Sequence, residues 1–469
     1  MRATDVKFLA AACGGQIIGN NNAVVRDVRI DSRELHPGEM FVAVVGDIND
    51  GHNYLQGAYD LGCRVFLISD KEKGMALLKK DPQVCLILAE NTQVAFKDMA
   101  RKYLEQFNVR KVAVTGSVGK TTTRTLTAAV LAQKYNVVSA QKNLNTYLGI
   151  AMTAFLADET TEIVVFEMGM DRRHEIETYC DWVFPNTAVI TNIGISHLEY
   201  LGTRDEIALE KLSITKPLKA DEYLVYQCDG DYLRGDAEMR KFAMGKDFLS
   251  FRVGENGRMS VSNVTDNVEK GIEFDLSCDG VVQHCMLPIM GVHNAINASL
   301  AAAVGIIYGV SLNEASEAFS GVGSTYRRMD IKHCGGVTII DDTYNASPLS
   351  TIAALDLFRK FEAKRKIAVL GIMRELGSET EKGHLQVGEF IAKCGLDLLI
   401  TIGAEGKLYI EGAKADRKLA TVSFDGPEMA EQFIFGQVKA GDAVLLKGSN
   451  ITCVAQIAAH MREHYGKEE

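Results

Sequence analysis

At 469 residues the chain has room for about three domains, and its 47% hydrophobic and 24% charged content is that of a globular protein with several buried cores. A formal charge of -10 argues against generic nucleic-acid binding, which needs a basic footprint. No apolar run approaches the ~18 residues that insert across a membrane, and ten scattered cysteines without a C-x-x-C pair read as reduced thiols of a cytosolic, cytoplasmic protein.

Residues 1–108 read as a first α/β unit. A helix N-capped by Thr4 and stopped by Gly14 and Gly15 accounts for the apolar run ending at Cys13, which is too short for a secretion signal. Strands are expected over residues 23–30, 40–45 and 64–69, with a helix over 54–61. Asp31-Ser32-Arg33 and Asp50-Gly51-His52 put small polar residues on loops at strand ends, suited equally to a ligand and to an ordinary turn.

Residues 109–327 read as a second unit built around Val112-Ala113-Val114-Thr115-Gly116-Ser117-Val118-Gly119-Lys120-Thr121-Thr122-Thr123. A β-type run, a loop with two glycines and a helical segment form the geometry that aims backbone N–H groups at a phosphate. Gly116, Ser117, Val118, Gly119 and Thr122 would bind a nucleotide triphosphate, with Lys120 on the β/γ oxygens and a hydroxyl such as that of Thr121 on Mg²⁺. Val114 stands where the longer form of this loop carries glycine.

Further strands over 136–140, 162–166 and 187–190 alternate with helices, implying a parallel sheet. Glu167 ends the second of these runs, placing a carboxylate oxygen for Mg²⁺ beside the loop. Asn143 and Asn145 follow the first and offer amides to a phosphate or a substrate carbonyl, and His197 lies just past the third. Lys211 sits on a helix over 204–215 and by itself reads as a solvated lysine. Residues 222–288 suggest an antiparallel extension, followed by an alanine-rich helix over 293–308 opened by His293, Asn294 and Asn297. Arg327 and Arg328 stand at the next boundary, where a guanidinium could bridge phosphates across a closing cleft.

Residues 328–469 alternate β and α again, with strands over 336–340, 366–370, 396–402 and 442–446. Each strand runs into a polar loop, and ligands of open α/β sheets sit beyond such strand ends.

The ordered set of Asp31-Ser32-Arg33, residues 115–123, Asn143-Leu144-Asn145, Glu167-Met168-Gly169, residues 191–199, Glu210-Lys211, residues 291–297, Arg328-Met329, residues 342–348, Glu375-Leu376-Gly377 and Lys447-Gly448-Ser449 resembles the Mur ligase family almost end to end. The resemblance implies a three-domain α/β architecture: a small UDP-binding domain, a central P-loop ATPase domain with an antiparallel extension, and a C-terminal Rossmann-like domain. It implies ATP and Mg²⁺, with catalytic roles for Lys120, Glu167, His197 and Lys211, and metal contacts from Thr121, Glu167, His197 and a CO₂-derived carbamate on Lys211. It places ATP near His293, Asn294, Asn297, Arg328, Asp342, Tyr344 and Asn345. It places the UDP substrate near Ser32, Arg33, Asn143 and Asn145.

Within the family the likeness is strongest to members that join D-alanyl-D-alanine to UDP-N-acetylmuramoyl-tripeptide, as monomers without membrane or nucleic-acid partners. The branch that adds the third residue resembles an Asp-Asn-Pro-Arg tetrad that this chain lacks. A folate-polyglutamylating ligase leaves the first unit unexplained, and a non-catalytic nucleotide-binding scaffold is the reading from another class. Three departures from the family pattern are Thr146-Tyr147, Met373-Arg374 and Asn450, the last removing a cation at the substrate edge.

Overall fold

Short β-branched runs separated by amphipathic segments pair into three main sheets. The computed structural model describes residues 1–46, 49–140, 144–230, 232–245, 247–267, 270–323, 327–449 and 452–466. In the first sheet Asp27–Arg29, Glu39–Val42, Val65–Ile68 and Cys85–Leu88 run parallel, and Gln16–Gly19 closes one edge antiparallel to Cys85–Leu88.

Two expectations for this region change. Asp5, not Thr4, caps the helix Val6–Cys13, its carboxylate accepting from the Lys7 N–H, while Thr4 pairs with Val25 in a two-residue ladder. The run expected as one strand over 23–30 is two, Val24–Val25 and Asp27–Arg29, because its halves pair with different partners.

The second sheet orders its strands Val137–Ser139, Ile163–Glu167, Arg110–Thr115, Thr187–Ile190, Tyr223–Gln227 and Leu249–Val253, all parallel. Met259–Asn267, Gly271–Cys278 and Val281–Leu287 continue it, the last two pairings antiparallel. The antiparallel extension therefore begins later than expected, since Tyr223–Gln227 and Leu249–Val253 still prolong the parallel part. Glu167 is the last residue of its strand, opposite Val114, and the helix after the glycine loop spans Lys120–Leu131.

The third sheet runs Asp330–Cys334, Val337–Asp341, Asp442–Lys447, Arg365–Gly371, Leu398–Ile402 and Ala420–Phe424, parallel except for the first pair.

One apolar cluster is continuous between the first two sheets, taking in Val42, Leu67, Phe96, Tyr103, Phe155, Phe166 and Trp182. The other face of the second sheet packs under the helix His293–Ile307, whose small side chains let it lie close against Lys120–Leu131. The third sheet has its own cluster on each face. Each fully buried Val, Ile, Leu or Phe side chain in these clusters is worth about 1.5–3 kcal/mol relative to exposure. All ten cysteines are free, and among the described residues no helix is long and apolar enough to cross a membrane.

Candidate active site

The parallel order brings the C-terminal ends of Arg110–Thr115, Ile163–Glu167 and Thr187–Ile190 side by side, so three loops distant in sequence share one edge. The first loop turns at Gly116, φ 144°, where an added Cβ would stand 1.8 Å from Thr191 Oγ1. Gly119, also left-handed, opens the helix Lys120–Leu131, whose first-turn N–H groups have no carbonyl one turn earlier. Lys120 Nζ lies back over the loop, donating to Gly116 O at 2.7 Å and Ser117 O at 3.3 Å. Burial pushes this ammonium below the usual lysine range, opposed by Glu167 and reinforced by Arg328.

Asn192 clamps the loop. Its backbone oxygen accepts from Ser117 N–H at 3.1 Å, its Oδ1 accepts from Val118 N–H at 3.0 Å, and its Nδ2 donates to Val118 O at 2.9 Å. The Ser117 and Val118 amides, expected to meet phosphate, are thus engaged by Asn192, and the helix turn is the donor edge that faces outward. Gly116→Ala forces the loop off Thr191. At about 1–3 kcal/mol of overpacking, nucleotide affinity should fall about 5–150-fold, which calorimetric titration with a non-hydrolysable ATP analogue measures. Unchanged affinity would detach the loop from the site.

Glu167 has a fully buried side chain. Its Oε1 accepts from Thr121 Oγ1 at 3.1 Å and Asn145 Nδ2 at 3.0 Å. Its Oε2 lies 3.6 Å from Arg124 Nε and has no hydrogen bond among the described residues. A buried carboxylate oxygen left over, beside a threonine hydroxyl, fits a hard divalent cation that takes oxygen ligands. Arg328 donates to the same Thr121 hydroxyl at 3.0 Å while its guanidinium stacks 4.4 Å from the Tyr344 ring.

His197 enters a one-turn helix with φ 63° and holds Nδ1 2.6 Å from Glu375 Oε2 and 3.3 Å from Asp171 Oδ1. One ligand atom from each of the three fits within 4.8 Å of the others. Contact with His197 holds Glu375 below the usual carboxylate range, whereas burial raises Asp171. Lys211 is 1% exposed. Burial, with the Lys120 charge adding to it, drives this amine well below the ordinary lysine value. The expectation of a solvated lysine is overturned: its helix turns the residue inward, while neighbouring Glu210 accepts from the N–H groups of His174 and Ile176.

Asn297 donates to Asn294 Oδ1 at 2.8 Å and accepts from Thr123 Oγ1 at 3.3 Å, which ties the helix opened by His293 to the loop helix. Buried Lys447 fastens the third sheet's edge, donating to Asp342 Oδ2 at 2.6 Å and Asn345 O at 2.8 Å. Ser32 and Arg33 stand apart on the first sheet, where the exposed Arg33 grips Asp31. Asn143 and Asn450 lie outside the described residues. Motif reading gave no role to Arg124, Asp171 or Asn192. The available signals were positional: Asp171 lies on the loop that Glu167 opens, Asn192 precedes His197 on the third, and Arg124 shares a helix face with Lys120 and Thr121.

Residues 114–305 match the profile of the Mur ligase middle domain, and residues 327–450 match that of the Mur ligase, glutamate ligase domain. The UDP-N-acetylmuramoyl-tripeptide–D-alanyl-D-alanine ligase of Bacillus subtilis is 33% identical over 429 residues, covering 91% of each chain. The chain belongs to the Mur ligase family. The Escherichia coli enzyme of the same name is 27% identical over 93% of this chain and 94% of its own. Among solved structures, MurF from Acinetobacter baumannii superposes with a TM-score of 0.84 at 25% identity over 99% of both chains. MurF from Thermotoga maritima in complex with ADP superposes with 0.75 at 26% identity, over 95% of this chain and 98% of that one. The first Mur ligase profile contains the phosphate loop, Glu167, His197 and Lys211. The second contains Arg328, Asp342 and Glu375, so the cluster lies on the seam between two Mur ligase domains.

Proposed function

We propose that this Mur ligase is an ATP-dependent amide-bond-forming enzyme that joins D-alanyl-D-alanine to UDP-N-acetylmuramoyl-tripeptide, a step of peptidoglycan precursor synthesis, as a cytoplasmic monomer. The observation that carries the reading is one sheet edge where a phosphate loop, a buried carboxylate with an oxygen to spare and a histidine meet under loops of a third sheet. Residues 1–108 would hold the UDP moiety through Ser32 and Arg33, residues 109–327 the nucleotide, with Asn143 and Asn145 reaching the UDP substrate, and residues 328–469 the incoming dipeptide.

A carboxylate does not react usefully with an amine in water, so it must first be made a mixed anhydride. The tripeptide's terminal carboxylate attacks the γ-phosphorus, giving an acyl phosphate and ADP. The dipeptide amine then adds to the acyl carbon, and the tetrahedral intermediate expels phosphate. The protein's share is placement and charge neutralisation. Lys120 and the amides of its helix turn hold the phosphates, and Arg328 reaches across the seam from Tyr344. His293, Asn294 and Asn297 flank the base, while Asp342 and Asn345, braced by Lys447, line the cleft. Thr121, Glu167, His197 and a carbamate on Lys211 would hold Mg²⁺, which when bound neutralises phosphate charge.

Phosphate release in the presence of MgATP, UDP-N-acetylmuramoyl-tripeptide and D-alanyl-D-alanine tests the reading. Phosphate should appear only when both peptides are present, with the amide product detected by mass. A chain that binds nucleotide but yields no dipeptide-dependent phosphate is a scaffold, and the proposal fails.

A further inference from the structure

Two residues in left-handed backbone conformation face one another across the seam: His197, φ 63°, from the second sheet, and Glu375, φ 64°, from the loop after Arg365–Gly371 of the third. Such strain in non-glycine residues persists where the surroundings fix it and gathers at functional sites. The backbones interlock as well. Glu199 N–H donates to Glu375 O at 3.2 Å, and Gly377, φ 53°, lies so near that an added Cβ would stand 3.0 Å from Glu199 Cα. Leu376 between them is buried in the third sheet's core, so the loop is anchored from behind.

We infer that Glu375 is a positioning residue for His197, delivered by the neighbouring domain: it holds Nδ1–H and thereby turns Nε2, with its lone pair, toward the phosphate site. A ligating histidine generally donates its other ring N–H to a carboxylate or carbonyl, which fixes tautomer and orientation. Here the carboxylate oxygen is 2.6 Å from Nδ1 but off the N–H line, so a turn of the ring completes the bond. Because the partner belongs to the third sheet, this hold exists only when that sheet is docked, whereas Asp171, 3.3 Å from the same Nδ1, comes from the second sheet. The inference deepens the proposed ligase reading and rests on it.

Glu375→Ala, Glu375→Gln and Lys360→Met are compared in the full chain. Lys360 makes a separate seam contact, 2.9 Å to Asp266, that does not touch the histidine. Glu375→Ala should lower kcat and Mn²⁺ affinity in the presence of ADP, measured by electron paramagnetic resonance, about 10–100-fold. Long-range ¹⁵N spectra should show loss of the Nδ1–H tautomer at His197. Glu375→Gln, whose carbonyl still accepts the proton, should keep the tautomer and most of the activity, and Lys360→Met should leave tautomer and metal affinity as in wild type. Unaltered tautomer and Mn²⁺ affinity in Glu375→Ala, or an equal loss in Lys360→Met, overturns the assignment. Absence of dipeptide-dependent phosphate in the wild type would instead sink the ligase reading, leaving the Mn²⁺ and ¹⁵N arms to judge Glu375 alone.

Discussion

Lys120→Ala should abolish dipeptide-dependent phosphate release and leave the protein folded. Lys120 is the cation at the first turn of the loop helix, and its charge is what a developing phosphoryl transition state meets. Loss of one preorganised electrostatic donor costs about 3–4 kcal/mol, which is a factor of about 10²–10³ in rate. The fold should not follow. The ammonium donates to two loop carbonyls, but it lies half-buried in the field of Arg328 and Lys211, and removing it relieves that repulsion as the bonds are lost. Phosphate release and a calorimetric melt on the same preparation separate the two effects. Near-normal turnover would remove Lys120 from the mechanism, and a collapsed melting transition would make it structural.

Lys211→Met should be the opposite kind of variant, less active and more stable. A charged lysine at 1% exposure is costly to bury, and methionine fills a similar space without that cost. Melting should therefore shift upward while ligation falls by about 10²-fold or more, the scale of losing a group that orders charge at the reacting phosphate.

The pH dependence follows from the folded amine lying well below its unfolded value of 10.5. Between those two values the unfolded chain binds the extra proton, so wild-type stability rises with pH across the window and Lys211→Met flattens that slope. The same depression favours the neutral amine, the form that adds CO₂ and so becomes a set of oxygen donors. Wild-type activity should then fall when buffers are stripped of CO₂ and return with bicarbonate, whereas Lys211→Met should not respond. Indifference of the wild type to bicarbonate would remove the carbamate.

The parts of this site that could be read from sequence are those whose signal is local. Residues 115–123 carry glycines, lysine and threonines at fixed offsets, and Glu167 and His197 follow the ends of apolar runs. The Thr4 helix was displaced by one residue because Asp5 competes for the same cap. The split of residues 23–30 was hidden because partner choice is not local. Lys211 reads as solvated until the face of its helix is known, and Asn192 becomes a clamp only through strand order. Asp171 and Glu375 meet His197 from loops on different sheets, so no spacing rule joins them.

The shared interior of the first two sheets has a mechanical consequence. Pulling them apart wets a continuous apolar layer, so the free energy of that opening approaches that of unfolding the pair outright. The third sheet keeps its own interior on both faces and can swing away by giving up a smaller seam: Ile195 and Met290 against its core, His197 with Glu375, Arg328 with Thr121, and Lys360 with Asp266. Compliance is therefore confined to a single joint, and the histidine contact is among those that opening it would break.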